Sequence, residues 1–165
     1  MSEKVEFCEG DFVVYPTHGV GKVTGIESQD ISGFIIKVIV IHFENDRMTL
    51  RVPTTKAEKS GLRKLSSRKM IDSAMTILKG RARVKRTMWS RRAQEYETKI
   101  NSGDPIAIAE VVRDLHRKAE QPEQSYSERQ IYQAALSRLT RELAAIEQID
   151  EDTAGEKLQD VLKAA

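Results

Sequence analysis

The sequence predicts an α+β fold, in which a small barrel of short strands precedes a bundle of about five helices. Two observations predict it. Up to about Pro53, β-branched and aromatic residues alternate with glycine-bearing turns, which is typical of strands. From about Ser66, apolar residues recur at helical spacing. This change of period divides the chain into two regions of different architecture.

About four or five short strands account for the first region. They are predicted at residues 11–16, 20–28, 34–43 and 47–52. Residues 34–43 are apolar on nearly both faces, as a central strand requires, while Gly21 and Gly25 suit a bend or bulge. A turn is predicted at residues 29–33. This spacing favours a small SH3- or Tudor-like barrel, whose edge strand is available to pair with a strand of a partner.

Helix caps and apolar spacing define the second region. Its helices are predicted to begin at Ser67, at Thr87 or Met88, at Asp104 followed by Pro105, at Ser127 paired with Gln130, and at Thr153 paired with Glu156. Residues 54–65 hold only Leu62 and Leu65 as large apolar side chains, so the boundary is placed there. Residues 1–56 are therefore predicted as the barrel domain and residues 57–165 as the helical domain.

Positive charge is concentrated in one part of the chain. Seven basic residues and no acidic residue lie between Lys79 and Arg92. Residues 63–92 carry +10, whereas the whole chain carries +2. Such a local field attracts polyanions, which makes nucleic acid the leading candidate partner. A solvated charged face without a partner is the alternative.

Trp89, the only tryptophan of the chain, lies inside this basic segment. A single tryptophan more often packs in a core than contacts a partner. Its neighbours Arg91 and Arg92 fit a deep core poorly, because buried guanidinium groups need a counter-charge or hydrogen-bond acceptors. The residues alone leave both interpretations of Trp89 open.

The residue pattern gives no support for an enzyme or a metal site. His18, His42 and His116 are far apart in sequence, and no Cys-x-x-Cys or His-x-x-x-His spacing occurs. Cys8, the single cysteine, has acidic neighbours that disfavour a thiolate. No window is apolar enough for a transmembrane helix, and no secretory signal is visible. We therefore expect a cytoplasmic protein without catalytic residues, cofactor, metal or membrane partner.

Four segments occur in a characteristic order along the chain. They are Gly10–Gly21, Leu50–Pro53, Trp89–Arg92 and Ala109–Leu115, with the sequences GDFVVYPTHGVG, LRVP, WSRR and AEVVRDL. Together, on a β-then-α architecture, they resemble the CarD/CdnL family of bacterial RNA polymerase-binding transcription regulators. The resemblance spans nearly the whole chain.

For the barrel, the resemblance implies an RNA polymerase interaction domain, related to that of transcription-repair coupling factors. Such a domain is expected to bind the β subunit of RNA polymerase by extending a sheet edge. Arg51 matches a basic position of that contact, and Val52 and Pro53 lie beside it. Gln29 stands where some relatives have a basic polymerase contact, so its part in the contact is open.

For the helical domain, the resemblance implies binding to promoter DNA at the upstream edge of the transcription bubble. Trp89 matches the residue that reaches the minor groove, and Arg91 and Arg92 match the adjacent backbone contacts. Lys85 and Arg86 are expected to add phosphate contacts. Gln94 stands where some relatives carry a basic residue, which weakens any DNA role for it.

The leading hypothesis is therefore a non-enzymatic regulator that binds the polymerase and stabilises the open promoter complex. We expect one copy per polymerase, nucleoid association through the polymerase, and phosphate and minor-groove contacts that do not read sequence. One alternative is a free-standing architectural DNA-binding protein. Another is a protein-interaction adaptor whose basic segment meets an acidic partner.

Overall fold

The computed structural model describes residues 7–44, 46–57, 59–82, 87–116 and 124–163. The chain divides into two compact units, residues 1–65 and residues 66–165. The first unit is an antiparallel sheet and the second is helical, which confirms the predicted α+β fold.

The sheet of the first unit has five strands in the order β4-β3-β2-β1-β5. Their bounds are β1 Phe12–Tyr15, β2 Gly19–Ile31, β3 Phe34–Phe43, β4 Met48–Pro53 and β5 Arg63–Lys64. Every paired neighbour is antiparallel. β3 has the predicted bounds and the predicted central place, between β2 and β4, while β4 lies at one edge of the sheet.

One face of the sheet encloses the core of the first unit. Alternate residues of β3, Ile39, Ile41 and Phe43, lie in this core with Val52 of β4. Gly21 faces the same core, where an added Cβ would lie 2.6 Å from Ile41 Cγ2. The glycine is therefore required by close packing rather than by a bend. The register shift in β2 falls between Val23 and Gly25, in agreement with the predicted bulge.

The hairpin of β2 and β3 is longer than the sequence predicts. Residues 28–31 of β2 pair with residues 34–37 of β3, so the predicted turn at residues 29–33 shortens to Ser32 and Gly33. Both have positive φ, 54° and 85°, as a two-residue hairpin turn requires. Asp30 Oδ1 accepts the Gly33 N–H at 3.1 Å and stabilises this turn.

The first unit ends after Leu65 rather than after the predicted Lys56. The two-residue strand β5 pairs Arg63 with Val14 of β1. Ala57 and Leu62 belong to the core of the barrel. The segment that looked like a linker therefore completes the sheet and covers one end of its core.

The described residues of the second unit form five helices around one core. They are α1 Arg68–Leu78, α2 Trp89–Asn101, α3 Pro105–Leu115, α4 Tyr126–Glu147 and α5 Glu151–Lys163. α3 packs against α1, α2 and α4 and is the most deeply buried of them. The number of helices agrees with the prediction of about five.

The caps of α1 and α3 are the predicted ones. Ser67 Oγ accepts the Met70 N–H at 3.1 Å, and Asp104 Oδ1 accepts the Ile106 N–H at 2.9 Å. Each side chain satisfies one of the amides that a helix start leaves without a partner.

The predicted caps of α4 and α5 are wrong. Ser125 Oγ, not Ser127, accepts from the Glu128 N–H at 3.2 Å. Asp150 Oδ1 accepts the Thr153 N–H at 2.6 Å, so α5 begins before the predicted Thr153. In both cases an earlier polar side chain accepts the N–H three residues further on, and the helix begins nearer the N-terminus than predicted. As a result, Ser127 lies inside the first turn of α4, with its hydroxyl free of the capping role.

Candidate functional site

Trp89 is the first residue of α2, and its side chain is half-buried. Part of the indole packs against the core of the bundle, and part remains accessible to solvent. Both interpretations that the sequence left open therefore apply to one ring. The core side anchors the indole, and the accessible side is available to a partner.

Three side chains hold the indole of Trp89. Its Nε1–H donates a hydrogen bond to Ser127 Oγ of α4 at 3.2 Å. The Arg92 guanidinium lies over the ring, with Cζ 5.3 Å from the ring centroid, a cation–π geometry. The Tyr96 ring lies 6.2 Å away at 48°. Helical spacing explains two of these contacts, because Arg92 and Tyr96 follow Trp89 on the same face of α2.

Arg92 is half-buried beside Trp89, whereas Arg91 is exposed. Among the described residues, Arg92 Nε is buried without a hydrogen-bond partner. Burial raises the pKa of the neighbouring Tyr96, and the Asp114 carboxylate raises it further, while the Arg92 guanidinium opposes both. Arg92 thus supports the indole and Arg91 faces solvent, so the two arginines expected to contact DNA have different surroundings.

An open cleft of about 490 Å³ runs along α2 beside these residues. Its basic lining residues are Arg91, Arg92 and Lys99, and its acidic ones are Glu95 and Asp114. A lining of mixed charge does not form a dedicated anion pocket. The exposed Met88 and Arg91, at the start of α2, are the more accessible side chains around Trp89.

The rest of the basic segment is only partly described. Lys79 and Arg81, which follow α1, are exposed. Lys85 and Arg86, two of the predicted phosphate contacts, lie outside the described residues. Their predicted role stays a prediction.

In the barrel, Arg51, Pro53 and Gln29 lie on one face of the sheet. The register pairs Arg51 with Val40, Pro53 with Val38 and Gln29 with Ile36, which alternate along β3. This outer face is opposite the core. Val52 points the other way and is only 6 % exposed. The Val52 side chain therefore belongs to the core rather than to the exposed surface, and its predicted part in a contact stays a prediction.

Arg51 forms an ion pair with Glu27, with Arg51 Nε 3.3 Å from Glu27 Oε2. Arg51 is in β4 and Glu27 is in β2, so the pair crosses the outer face of β3. Both side chains are about half-exposed, 51 % and 52 %. Water screens such a pair, and exposed pairs contribute about 0–1 kcal/mol.

The backbone of β4 is available along one edge of the sheet. The Thr54 N–H donates to the Lys37 carbonyl of β3 at 2.9 Å. Because the direction of the peptide groups alternates along a strand, the amide and carbonyl of Arg51 point away from β3. Pro53 occupies a second position whose backbone groups point away from β3. Its missing N–H therefore removes no hydrogen bond between β3 and β4.

Two residues of these sites were missed from the sequence. The only indication of Glu27 in the sequence is its place two residues before Gln29, which puts both side chains on the same face of a strand. Ser127 was assigned to a helix cap, and nothing in the sequence joins it to Trp89.

The described residues hold no group of three or more His, Cys, Asp or Glu side chains that could ligate a metal ion. Within the same part of the chain, every helix is too short or too polar to cross a membrane.

Comparison with known proteins extends this picture to both units. Residues 7–66 match the family described as CarD-like/TRCF RID domain, and residues 65–159 match the family described as CarD, C-terminal domain. The chain belongs to the CarD-like family. The junction of the two matched segments coincides with the division of the structure after Leu65.

A relative of this CarD-like chain is known in Bacillus subtilis (strain 168), where it is named "Putative transcription factor YdeB". The two are 30 % identical over 145 residues, which cover 88 % of this chain and 95 % of that protein. The CarD-like chain is accordingly a transcription regulator, as its sequence predicts.

Proposed function

We propose that this CarD-like protein binds the β subunit of RNA polymerase through its barrel and promoter DNA through Trp89. The contact lies at the upstream edge of the transcription bubble and stabilises the open complex. The observation that carries the proposal is a half-buried indole, fixed on its core side and accessible on the other, at the start of a helix in a basic segment. One copy acts per polymerase in the cytoplasm, without a catalytic step.

The indole has the properties of a minor-groove wedge. Apolar side chains that enter the minor groove unstack a base step at a cost of a few kcal/mol. At the edge of a bubble the step is already distorted, so the ring fits opened DNA better than closed duplex. A ligand shifts an equilibrium only by its difference in affinity for the two states. A difference of about 1.4 kcal/mol would raise the open population tenfold relative to the closed one.

Phosphate contacts supply affinity without reading the sequence. Arg91 is exposed next to Trp89 and is suited to this role. Arg92 supports the ring from its face and adds charge at the same point. Lys85 and Arg86 complete the proposed set of phosphate contacts.

The outer face of the barrel supports docking on the polymerase. Arg51, Pro53 and Gln29 share that face, and the β4 edge offers outward-facing backbone groups to an added strand. Docking through one domain raises the effective concentration of the other at the DNA. Weak DNA affinity of the free protein is therefore sufficient.

Replacement of Trp89 by alanine tests the proposed function. Trp89→Ala is expected to shorten the lifetime of the heparin-challenged open complex about tenfold, since the wedge is lost. Trp89→Phe is the matched variant: it keeps an aromatic ring but lacks the indole Nε1–H, so its lifetime should lie between those of the unchanged protein and of Trp89→Ala. Circular dichroism checks that both variants are folded. An unchanged lifetime with folded Trp89→Ala would rule out the wedge.

A free-standing architectural DNA-binding protein remains the second candidate, favoured by the charge of +10 in residues 63–92. Such a protein would bind duplex DNA tightly in the absence of polymerase. Its log affinity would fall with log salt at a slope of about −0.9 per phosphate contacted. A pull-down from lysate with and without nuclease separates the two functions, because polymerase capture should survive nuclease only under the proposal.

A further inference from the structure

We infer that Ser127 is a positioning residue that fixes the orientation of the Trp89 indole toward DNA. The inference rests on the proposed function for its consequence at the promoter. The orientation itself is a property of the free protein and is tested there.

The position of Ser127 makes its hydroxyl available for this task. Ser127 lies in the first turn of α4, whereas Trp89 begins α2. Ser125 caps α4, so helix capping does not require the Ser127 hydroxyl. That hydroxyl instead accepts the Trp89 Nε1–H at 3.2 Å. The bond joins two helices across 38 residues of sequence.

The hydrogen bond selects one of two ways of placing the same ring. A tryptophan side chain rotates about two bonds, and a half-turn about the second exchanges the pyrrole and benzene edges of the indole. A half-turn about this bond keeps the plane of the ring, so the Arg92 guanidinium lies over an indole face in either orientation. Nε1 is the only polar atom of the indole. Its bond to Ser127 therefore decides which edge faces the core and which faces solvent.

A ring that is already oriented loses less freedom when it binds. Ordering a side chain at an interface lowers affinity, and pre-organisation removes that loss. Ser127 thus increases the fraction of molecules in which the accessible edge of Trp89 is ready to enter opened DNA. Without the bond, the ring samples both orientations and the competent fraction falls.

Ser127→Ala, Ser127→Thr and the control Ser73→Ala test the inference in the full-length protein. Ser73 is an exposed helical serine whose hydroxyl bonds only to the Lys69 carbonyl of its own helix. Alanine is favourable in helices and the Ser125 cap is retained, so the fold is expected to persist. Trp89 is the only tryptophan, so intrinsic fluorescence reports on this one ring.

Ser127→Ala is expected to increase the fast component of the fluorescence anisotropy decay and the quenching of Trp89 by acrylamide. It should also shorten the open-complex lifetime about twofold, the lower end of the range for loss of one hydrogen bond and less than the loss of the whole ring. Ser127→Thr restores the acceptor and should restore both measurements. Ser73→Ala should change neither.

The outcomes separate this inference from the proposed function. Unchanged anisotropy and quenching in Ser127→Ala overturn the positioning role, whatever the lifetime. A loosened ring with a normal lifetime, while Trp89→Ala shortens the lifetime, overturns the positioning role and leaves the wedge in place. Normal lifetimes for both Ser127→Ala and Trp89→Ala overturn the wedge itself, and with it the consequence inferred for Ser127.

Discussion

Arg51 in the barrel and Trp89 in the bundle are both assigned to partners, yet they are held in opposite ways. Arg51 is half-exposed and pairs with the equally exposed Glu27. Trp89 is packed against a core, stacked by Arg92 and hydrogen-bonded by Ser127. Arg51 is held by an electrostatic interaction that water screens, whereas Trp89 is held by packing and by a directed hydrogen bond.

The difference indicates two kinds of recognition within one chain. An exposed ion pair is worth about 0–1 kcal/mol, so exchanging Glu27 for an acidic group of the proposed partner would cost Arg51 little. The indole is held against the core, and its hydrogen bond to Ser127 sets which edge of the ring faces solvent. The barrel contact is therefore exchangeable and charge-controlled, while the bundle presents a ring of fixed geometry.

The largest effect is expected from reversing the charge in the barrel. Arg51→Glu would place a carboxylate beside Glu27 and oppose an acidic partner, so affinity for core polymerase should fall about a hundredfold or more. Biolayer interferometry with immobilised core enzyme measures this. Arg47→Glu makes the same change of charge at an exposed residue just before β4 and should have a small effect. Equal losses in both variants would show that Arg51 has no special place in docking.

A smaller effect of opposite sign is expected at Glu27. Glu27→Gln removes the competitor for the Arg51 guanidinium, so affinity for core polymerase should rise, by up to about fivefold. Glu44→Gln, which removes one exposed carboxylate elsewhere in the barrel, controls for net charge. The same binding assay serves for both variants. A weaker interaction of Glu27→Gln would mean that Glu27 orients Arg51 for the partner instead of competing with it.

The smallest effect is expected on the stability of the helical bundle at acid pH. Hydrogen bonds from Lys157 and Arg68 lower the pKa of Glu147, and hydrogen bonds from Thr153 lower the pKa of Asp150. A lowered folded-state pKa stabilises the fold above the ordinary pKa of the group. That contribution disappears as the pH falls through the lowered value.

The thermal unfolding midpoint, followed by Trp89 fluorescence, should therefore decrease as the pH falls below about 4. Glu147→Gln should lower the midpoint at neutral pH and flatten its dependence on pH, because it removes one of the two carboxylates. A pH profile identical to that of the unchanged protein would contradict the assignment to Glu147.

Periodic elements of the fold could be predicted from the sequence. Residues 34–43 are dense in β-branched residues, Ser67 directly precedes a helical apolar pattern, and Asp104 directly precedes Pro105, so these features agree with the structure. Phe34 and Ile35 are nevertheless 74 % and 77 % exposed, because the sheet continues beyond its core. β5 was missed because a two-residue strand has no period of its own.

The site was predictable only where its contacts are local. Arg92 and Tyr96 follow Trp89 at helical spacing, so their place beside the ring could have been found from the sequence. Ser127 reaches the ring through tertiary packing, and its spacing from Gln130 predicts a helix cap instead. Glu27 reaches Arg51 across an intervening strand, which sequence spacing does not reveal.

The bond between the indole nitrogen and Ser127 also bears on promoter choice. Adenine N3 and thymine O2 are the acceptors that a donor would meet in the minor groove. Trp89 has one proton to donate and in the free protein gives it to Ser127, so a hydrogen bond to one of these bases would have to replace that bond. In the proposed mode, the bond to Ser127 therefore competes with base recognition, and the wedge responds to how readily a duplex opens.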